Sequence, residues 1–213
     1  MQDHRGEHDD ETHLSSFDEK AATWDDDPAK LERARVVAAA VRSATRPDGS
    51  ERLLEHGAGT GLLSEALQAD IASVTMADTS AGMRQVMHDK VASGVIPSGR
   101  VWDVDLGAAV GLPDEKFDLV VTMLALHHVE DIDRTLHNFA DLIEPGGHLC
   151  IAELDHEDGS FHGEGFGGHH GFVRDDLEAQ IRSAGFTDVV FQSCHYVEKN
   201  GRDYPMFLAT ATR

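Results

Sequence analysis

The chain has 213 residues, which is enough for one α/β domain with its own hydrophobic core. It carries 39 acidic and 18 basic residues, a net charge of −21 with histidine neutral, and such a field repels phosphate backbones and anionic membrane surfaces. No apolar run approaches the roughly 20 residues that a membrane helix needs. We therefore expect no nucleic acid and no membrane among its partners.

The start of the chain changes from polar to helical. Residues 1–14 are rich in histidine and acidic residues and lack periodicity, which predicts a disordered lead and not a signal peptide. We accordingly expect a cytoplasmic protein. Helical patterns follow at 17–24 and 29–44, and Pro28 fits the first turn of the second helix, with Asp27 as its N-cap.

Strand and helix patterns then alternate to the end of the chain. Strand patterns lie at 52–56, 73–78, 100–105, 117–126, 148–154, 188–197 and 204–212, and helical patterns at 61–70, 80–93, 131–143 and 173–186. Strands joined by helices are parallel, whereas the last two are joined by a short turn and should be antiparallel. This predicts one α/β domain over 15–213, with a helical cap at 15–45 and a doubly wound, mostly parallel core at 51–213. Cys150 and Cys194 fall in strand patterns and are expected to be buried free thiols.

A glycine turn follows the first of these strands, in the segment LLEHGAGTG at 53–61. Gly57, Gly59 and Gly61 alternate with small residues, whereas a dinucleotide site favours G-x-G-x-x-G. Glu55 precedes the turn by two residues, and a carboxylate there would repel a diphosphate and attract an ammonium group. The pattern therefore argues against a nicotinamide dinucleotide.

Acidic residues also end the next two strands. Asp78 ends the second strand, where a carboxylate can accept both hydroxyls of a ribose. Asp103 and Asp105 end the third. In an open α/β sheet these strand ends meet at one edge, where the ligand binds. A ligand with a ribose, an amine and a positive charge but no phosphate fits this edge, and S-adenosylmethionine has all three features.

The sequence resembles the class I S-adenosylmethionine-dependent methyltransferases in five segments. EHGAGTG matches the family pattern E-x-G-x-G-x-G, and the other four segments are FDEKAATWD (17–25), MADTSAGM (76–83), FDLVVTMLALHHVED (117–131) and LIEPGGHLCIAEL (142–154). The first of these four is similar to the helical cap of the ubiquinone/menaquinone biosynthesis-type subgroup. The resemblance covers about 15–213. It implies a Rossmann-like sheet of seven strands in the order 3-2-1-4-5-7-6, with strand 7 antiparallel, and methylation of a small molecule with S-adenosylhomocysteine as product.

The same resemblance implies a set of cofactor-binding residues. Glu55 would interact with the methionine ammonium group, and Asp78 would hold the ribose hydroxyls. Asp103 would bond the adenine amino group. The remaining positions are Gly57, Ala58, Gly59 and Gly61 in the turn, Thr79, Met83 and Val104 around the adenine, and Met123 and Leu124 beside the methionine portion.

The candidate acceptor site lies beside the end of the fourth strand. His127 and His128 stand there, and a neutral imidazole is a suitable proton acceptor near pH 7, although packing against the next helix is the plainer explanation. Phe17 and Trp24 are seven residues apart and share one helix face, so they are candidates for a third wall of the site.

A glycine-rich segment at 154–172 leaves the fifth strand at the same edge and can form a lid over the acceptor. Its histidines and acidic residues are of types that suit zinc or iron, but their spacing matches no metal motif, so we expect no metal. His162 and His169 are then candidate acceptor contacts. Two alternatives stay open: a protein methyltransferase, and an inactive protein that binds S-adenosylmethionine or S-adenosylhomocysteine. The chain could be a monomer or a homodimer.

Overall fold

The computed structural model describes residues 17–107 and 111–213. The predicted lead at 1–14 lies outside the described residues. The strands form a single seven-stranded sheet in the order β3-β2-β1-β4-β5-β7-β6. Their bounds are β1 Arg52–His56, β2 Ser73–Ala77, β3 Gly99–Trp102, β4 Phe117–Met123, β5 Ile143–Leu154, β6 Thr187–Lys199 and β7 Arg202–Thr212. Strands β1 to β5 are parallel, and β7 is antiparallel to both of its neighbours. The predicted fold and strand order are confirmed.

Helices cover both faces of this sheet. Their bounds are α1 Pro28–Thr45, α2 Leu62–Leu67, α3 Ala81–Ala92, α4 Ile132–Leu142 and α5 Arg174–Ser183, with 3-10 helices at Ala21–Asp26, Gln68–Asp70 and Leu126–His128. The α1 helix begins as predicted, because the Asp27 side chain accepts the Ala29 N–H at 2.9 Å and Pro28 occupies the first turn. Within the described residues, no helix is both long and apolar enough to cross a membrane.

The hydrophobic core lies in two layers, one on each face of the sheet. Successive strand residues point to opposite faces, so Leu53 packs with α1 and α2 residues while Leu54 packs with α4 and α5 residues. Both cysteines are free, as expected. Cys150 is buried, but Cys194 is only partly buried because β6 is the edge strand of the sheet.

Among the boundaries that differ from the predicted ones, three affect the candidate site. The fourth strand ends at Met123, because Leu124 has a φ of 51°, which a strand cannot continue. The third strand ends at Trp102, three residues earlier than predicted. The predicted helix at 17–24 changes to a 3-10 helix from Ala21 to Asp26. A run of apolar residues does not mark where backbone dihedral angles change, so these ends could not be located from the pattern.

Candidate active site

The turn after β1 brings the backbone close to the end of β4. Gly57 and Gly59 have φ angles of 62° and 56°, which few residues other than glycine adopt. A Cβ atom on Gly57 would lie 2.3 Å from the Cβ of Ala125. The Ala58 N–H donates to the Ala77 carbonyl at 3.0 Å, which ties the turn to the end of β2. The glycines therefore allow three strand ends to meet.

Glu55 lies under this turn and is 1% exposed. Its carboxylate accepts the Ser64 backbone N–H at 3.0 Å and also the Ser64 hydroxyl. Burial raises its pKa to about 7, and the two hydrogen bonds from Ser64 oppose that rise. A carboxylate beside the cavity is thus held in place by the first turn of α2.

Asp78 follows β2 and fixes the same turn from the other side. One carboxylate oxygen accepts the Gly59 N–H at 2.7 Å, and the other accepts the Ser80 N–H at 2.8 Å. Burial raises the pKa of Asp78, and these two backbone hydrogen bonds act against the shift. Each oxygen keeps a further lone pair, so the group can still accept hydroxyl protons from a ligand.

A cavity of about 1170 Å³ opens at these strand ends. Its walls include most of the residues predicted to bind the cofactor, namely Glu55, Gly57, Ala58, Gly59, Asp78, Thr79, Met83, Val104, Met123 and Leu124. Carboxylates, the backbone of the glycine turn and an apolar methionine side chain line the wall of this one cavity. This donor set fits S-adenosylmethionine, which carries an amine, a ribose and an adenine but no phosphate.

Two predicted cofactor residues lie elsewhere. The Asp103 side chain is 75% exposed and pairs with Arg84 at 3.0 Å, while Asp105 lies on the cavity wall instead. Because β3 ends earlier than predicted, Asp105 and not Asp103 reaches the cavity wall. Gly61 is the N-cap residue of α2, and a Cβ atom there would lie 2.8 Å from the Met76 sulfur. Its role in the structure is close packing.

The N-terminal cap closes the cavity on the opposite side. Phe17 and Trp24 line it with His128, and the Phe17 ring centroid lies 5.9 Å from that of Trp24 and 5.4 Å from that of His128. Asp18 ties the cap to α3 by accepting the Ser80 hydroxyl at 2.5 Å and the Gly82 N–H at 2.8 Å. The cap is therefore fastened over the expected ligand. The sequence pattern gave no sign of the Asp18 contacts.

The two adjacent histidines have different surroundings. His128 faces the cavity, whereas His127 is 2% exposed. Nδ1 of His127 lies 3.0 and 2.9 Å from the two carboxylate oxygens of Glu153, and the His127 backbone N–H also donates to Glu153 at 3.2 Å. Glu153 lies one residue before the end of β5, which neighbours β4 in the sheet. This pairing was not predicted from the sequence.

The glycine-rich segment folds over this pair. His169 lines the cavity, its backbone N–H donates to the His127 carbonyl at 2.8 Å, and its Nε2 lies 3.0 Å from the Val129 carbonyl oxygen. The His162 ring lies 4.9 Å from the His127 ring and stacks on Phe166 at 3.8 Å. Both predicted lid histidines are therefore brought to the end of β4.

Comparison with known proteins identifies a family for most of the chain. The family described as "Methyltransferase domain" matches residues 28–190. A ubiquinone biosynthesis O-methyltransferase of Chelativorans is 34% identical over 116 residues, which is 53% of this chain and 44% of that protein. This chain thus matches less than half of that relative's length.

Two solved structures share the fold. The N-methyltransferase NodS from Bradyrhizobium japonicum, in complex with S-adenosylhomocysteine, has a TM-score of 0.72 at 19% identity, covering 94% of this chain and 97% of that one. The 1,6-didemethyltoxoflavin-N1-methyltransferase of Burkholderia thailandensis has a TM-score of 0.68 at 20% identity, covering 95% and 86%. The chain belongs to the methyltransferase domain family.

Proposed function

We propose that the protein methylates a small molecule held between the cofactor site and the N-terminal cap. The observation that carries this proposal is the continuous cavity, which runs from Glu55 and Asp78 to a wall formed by Phe17, Trp24 and His128. S-adenosylmethionine supplies a methyl group already activated by a positively charged sulfur. The chain's own task is to orient the acceptor and to exclude water.

The cofactor contacts proposed here follow the cavity wall. Glu55 receives the ammonium group, Asp78 receives the ribose hydroxyls, and the backbone of Gly57 to Gly59 lies against the ligand. Thr79, Met83 and Val104 enclose the adenine, and Asp105 takes the role that the sequence suggested for Asp103. Met123 and Leu124 would border the methionine portion, and His128 lines the same cavity.

The cap supports a small acceptor over a protein. Its aromatic residues line the cavity, and the Lys30 ammonium, which also lines it, lies 3.6 Å from the centre of the Trp24 ring. We propose an acceptor small enough to fit within this cavity. One similar structure is also named for a small acceptor, didemethyltoxoflavin. We propose that the cap and the sheet act together as one methyltransferase domain.

The test uses S-adenosylmethionine labelled on its methyl group. The protein and the labelled cofactor are incubated with extract of the source cell, which is then separated into small metabolites and macromolecules. We expect label in the small-metabolite fraction, where mass spectrometry can identify the acceptor. Label confined to protein or RNA would overturn the acceptor class. Boiled protein serves as the control for spontaneous transfer.

We expect His128→Ala to lower turnover about tenfold while cofactor affinity stays within twofold. His128 lines the acceptor end of the cavity, and a positioned side chain that assists proton removal or orientation is worth at least this factor. Turnover is measured with the acceptor identified above, and affinity by calorimetry with S-adenosylhomocysteine. His137→Ala is the matched control, because His137 lies on the exposed face of α4. Normal turnover of His128→Ala would contradict a role for this imidazole in transfer.

A further inference from the structure

Three histidines from two separate segments converge where the lid meets the end of β4. We propose that His127, His128 and His162 bind a divalent transition-metal ion of the zinc class. One ring nitrogen from each residue lies within 4.8 Å of the others. The ring centroids are 4.3 Å apart for His127 and His128, 4.9 Å for His127 and His162, and 5.5 Å for His128 and His162. Imidazole nitrogens are ligands that suit zinc, iron, nickel and copper.

Glu153 gives this cluster a feature typical of metal sites. It is fully buried, and both of its oxygens contact Nδ1 of His127, at 3.0 and 2.9 Å. A carboxylate on one nitrogen of a metal-binding histidine fixes the ring orientation and strengthens the other nitrogen as a ligand. Nε2 of His127 is thereby left for the cluster. The Leu154 N–H donates to Glu153 at 3.0 Å, so the carboxylate itself is held by the end of β5.

The lid presents the third ligand in a defined orientation. The His162 ring stacks on Phe166 with ring centroids 3.8 Å apart and an interplanar angle of 8°. The Phe161 N–H, one residue earlier, donates to the Glu157 carboxylate at 3.0 Å. A tetrahedral zinc ion with Zn–N bonds of about 2.0–2.1 Å holds its ligand nitrogens about 3.4 Å apart. The distances between the three nitrogens, at most 4.8 Å, would therefore shorten by up to about 1.4 Å on binding the ion, and the nearby Gly159 and Gly163 allow the lid to adjust.

Three imidazole ligands leave one coordination position open, as in catalytic zinc sites. His128 borders the cavity, which places the cluster next to the proposed acceptor site. An oxygen, nitrogen or sulfur atom of the acceptor could occupy it, and a bound metal lowers the pKa of such a group. The metal site depends on the cluster geometry alone, whereas this use of it rests on the proposed function.

The test is a titration of the full chain with Co²⁺. This ion is used as a substitute for zinc, because zinc is colourless whereas the visible absorption of Co²⁺ reports its coordination. The protein is purified without an affinity tag and stripped with a chelator. His4, His8 and His13 precede the described residues, so the titration uses a background in which all three are alanine. We expect one Co²⁺ per chain, with absorption bands of a four- or five-coordinate ion.

In this background we expect His128→Ala and His162→Ala each to weaken Co²⁺ binding at least tenfold. Glu153→Gln should weaken it about tenfold to a hundredfold, because it removes the carboxylate behind His127. His88→Ala is the control, because His88 lies on the exposed face of α3. This variant should bind Co²⁺ as the background protein does. Unchanged Co²⁺ affinity in His162→Ala would overturn the site. Binding of S-adenosylhomocysteine to the stripped protein is measured separately, so a failed metal site would leave the methyltransferase proposal standing.

Discussion

Replacing Asp78 with alanine is expected to weaken S-adenosylhomocysteine binding by 30-fold or more, about 2 kcal/mol. Hydrogen bonds to a charged group contribute about 1.5–3 kcal/mol, and the variant loses the carboxylate proposed to receive both ribose hydroxyls. It also loses the acceptor for the Gly59 N–H, which helps to hold the turn after β1 in place. Calorimetric titration of purified protein gives the affinity directly.

Asp103→Ala is the matched control for this variant. Both residues are aspartates that follow neighbouring strands, but Asp103 is largely exposed and paired with Arg84. We expect its affinity to stay within twofold of the parent protein. Circular dichroism and thermal unfolding show whether Asp78→Ala remains folded. If a folded Asp78→Ala protein binds as tightly as the parent, or if Asp103→Ala is equally impaired, the ribose assignment is wrong.

The contrast between these two aspartates shows which part of the site could be predicted from the sequence. The alternation of strands and helices predicts a parallel sheet, and parallel strands bring their carboxyl ends to one edge. Glu55 and Asp78 stand within one residue of strand ends that the pattern locates well. The third strand ends earlier than its apolar pattern suggests, so the acid on the cavity wall is Asp105 and not Asp103.

The surroundings of the histidines could not be predicted because they depend on contacts between distant segments. Met123 pairs with Ala152 across β4 and β5, and this register places Glu153 beside the turn that carries His127. Nothing in either segment alone indicates that pairing. The approach of His162 depends in turn on how the lid folds, and a glycine-rich sequence permits many backbone paths. The sequence predicted histidines at this end of the cavity, but it did not predict which residues they contact.

Glu55→Gln is expected to stabilise the cofactor-free protein at pH 8 by up to about 3 kcal/mol. The folded pKa of about 7 lies above the ordinary value of 4.5, so the folded chain binds more protons than the unfolded chain between these values. The free energy of unfolding of the parent protein therefore falls as pH rises from about 4.5 to 7 and stays low above 7. Glutamine cannot ionise, so the variant should lose this part of the pH dependence. Urea unfolding at pH 5 and pH 8 measures both effects.

The same carboxyl group should make cofactor binding depend on pH in the opposite direction. An ammonium group favours the ionised form, so S-adenosylhomocysteine affinity should be about fivefold lower at pH 6 than at pH 7, and about fiftyfold lower at pH 5. Adenosine has no ammonium group, so its much weaker binding should vary little over this range. Glu55→Gln should bind S-adenosylhomocysteine weakly, with a nearly flat profile. A flat profile in the parent protein, or equal pH dependence for both ligands, would refute the contact between Glu55 and the ammonium group. If both results hold, the buried Glu55 carboxylate lowers the stability of the cofactor-free protein and raises its affinity for the cofactor.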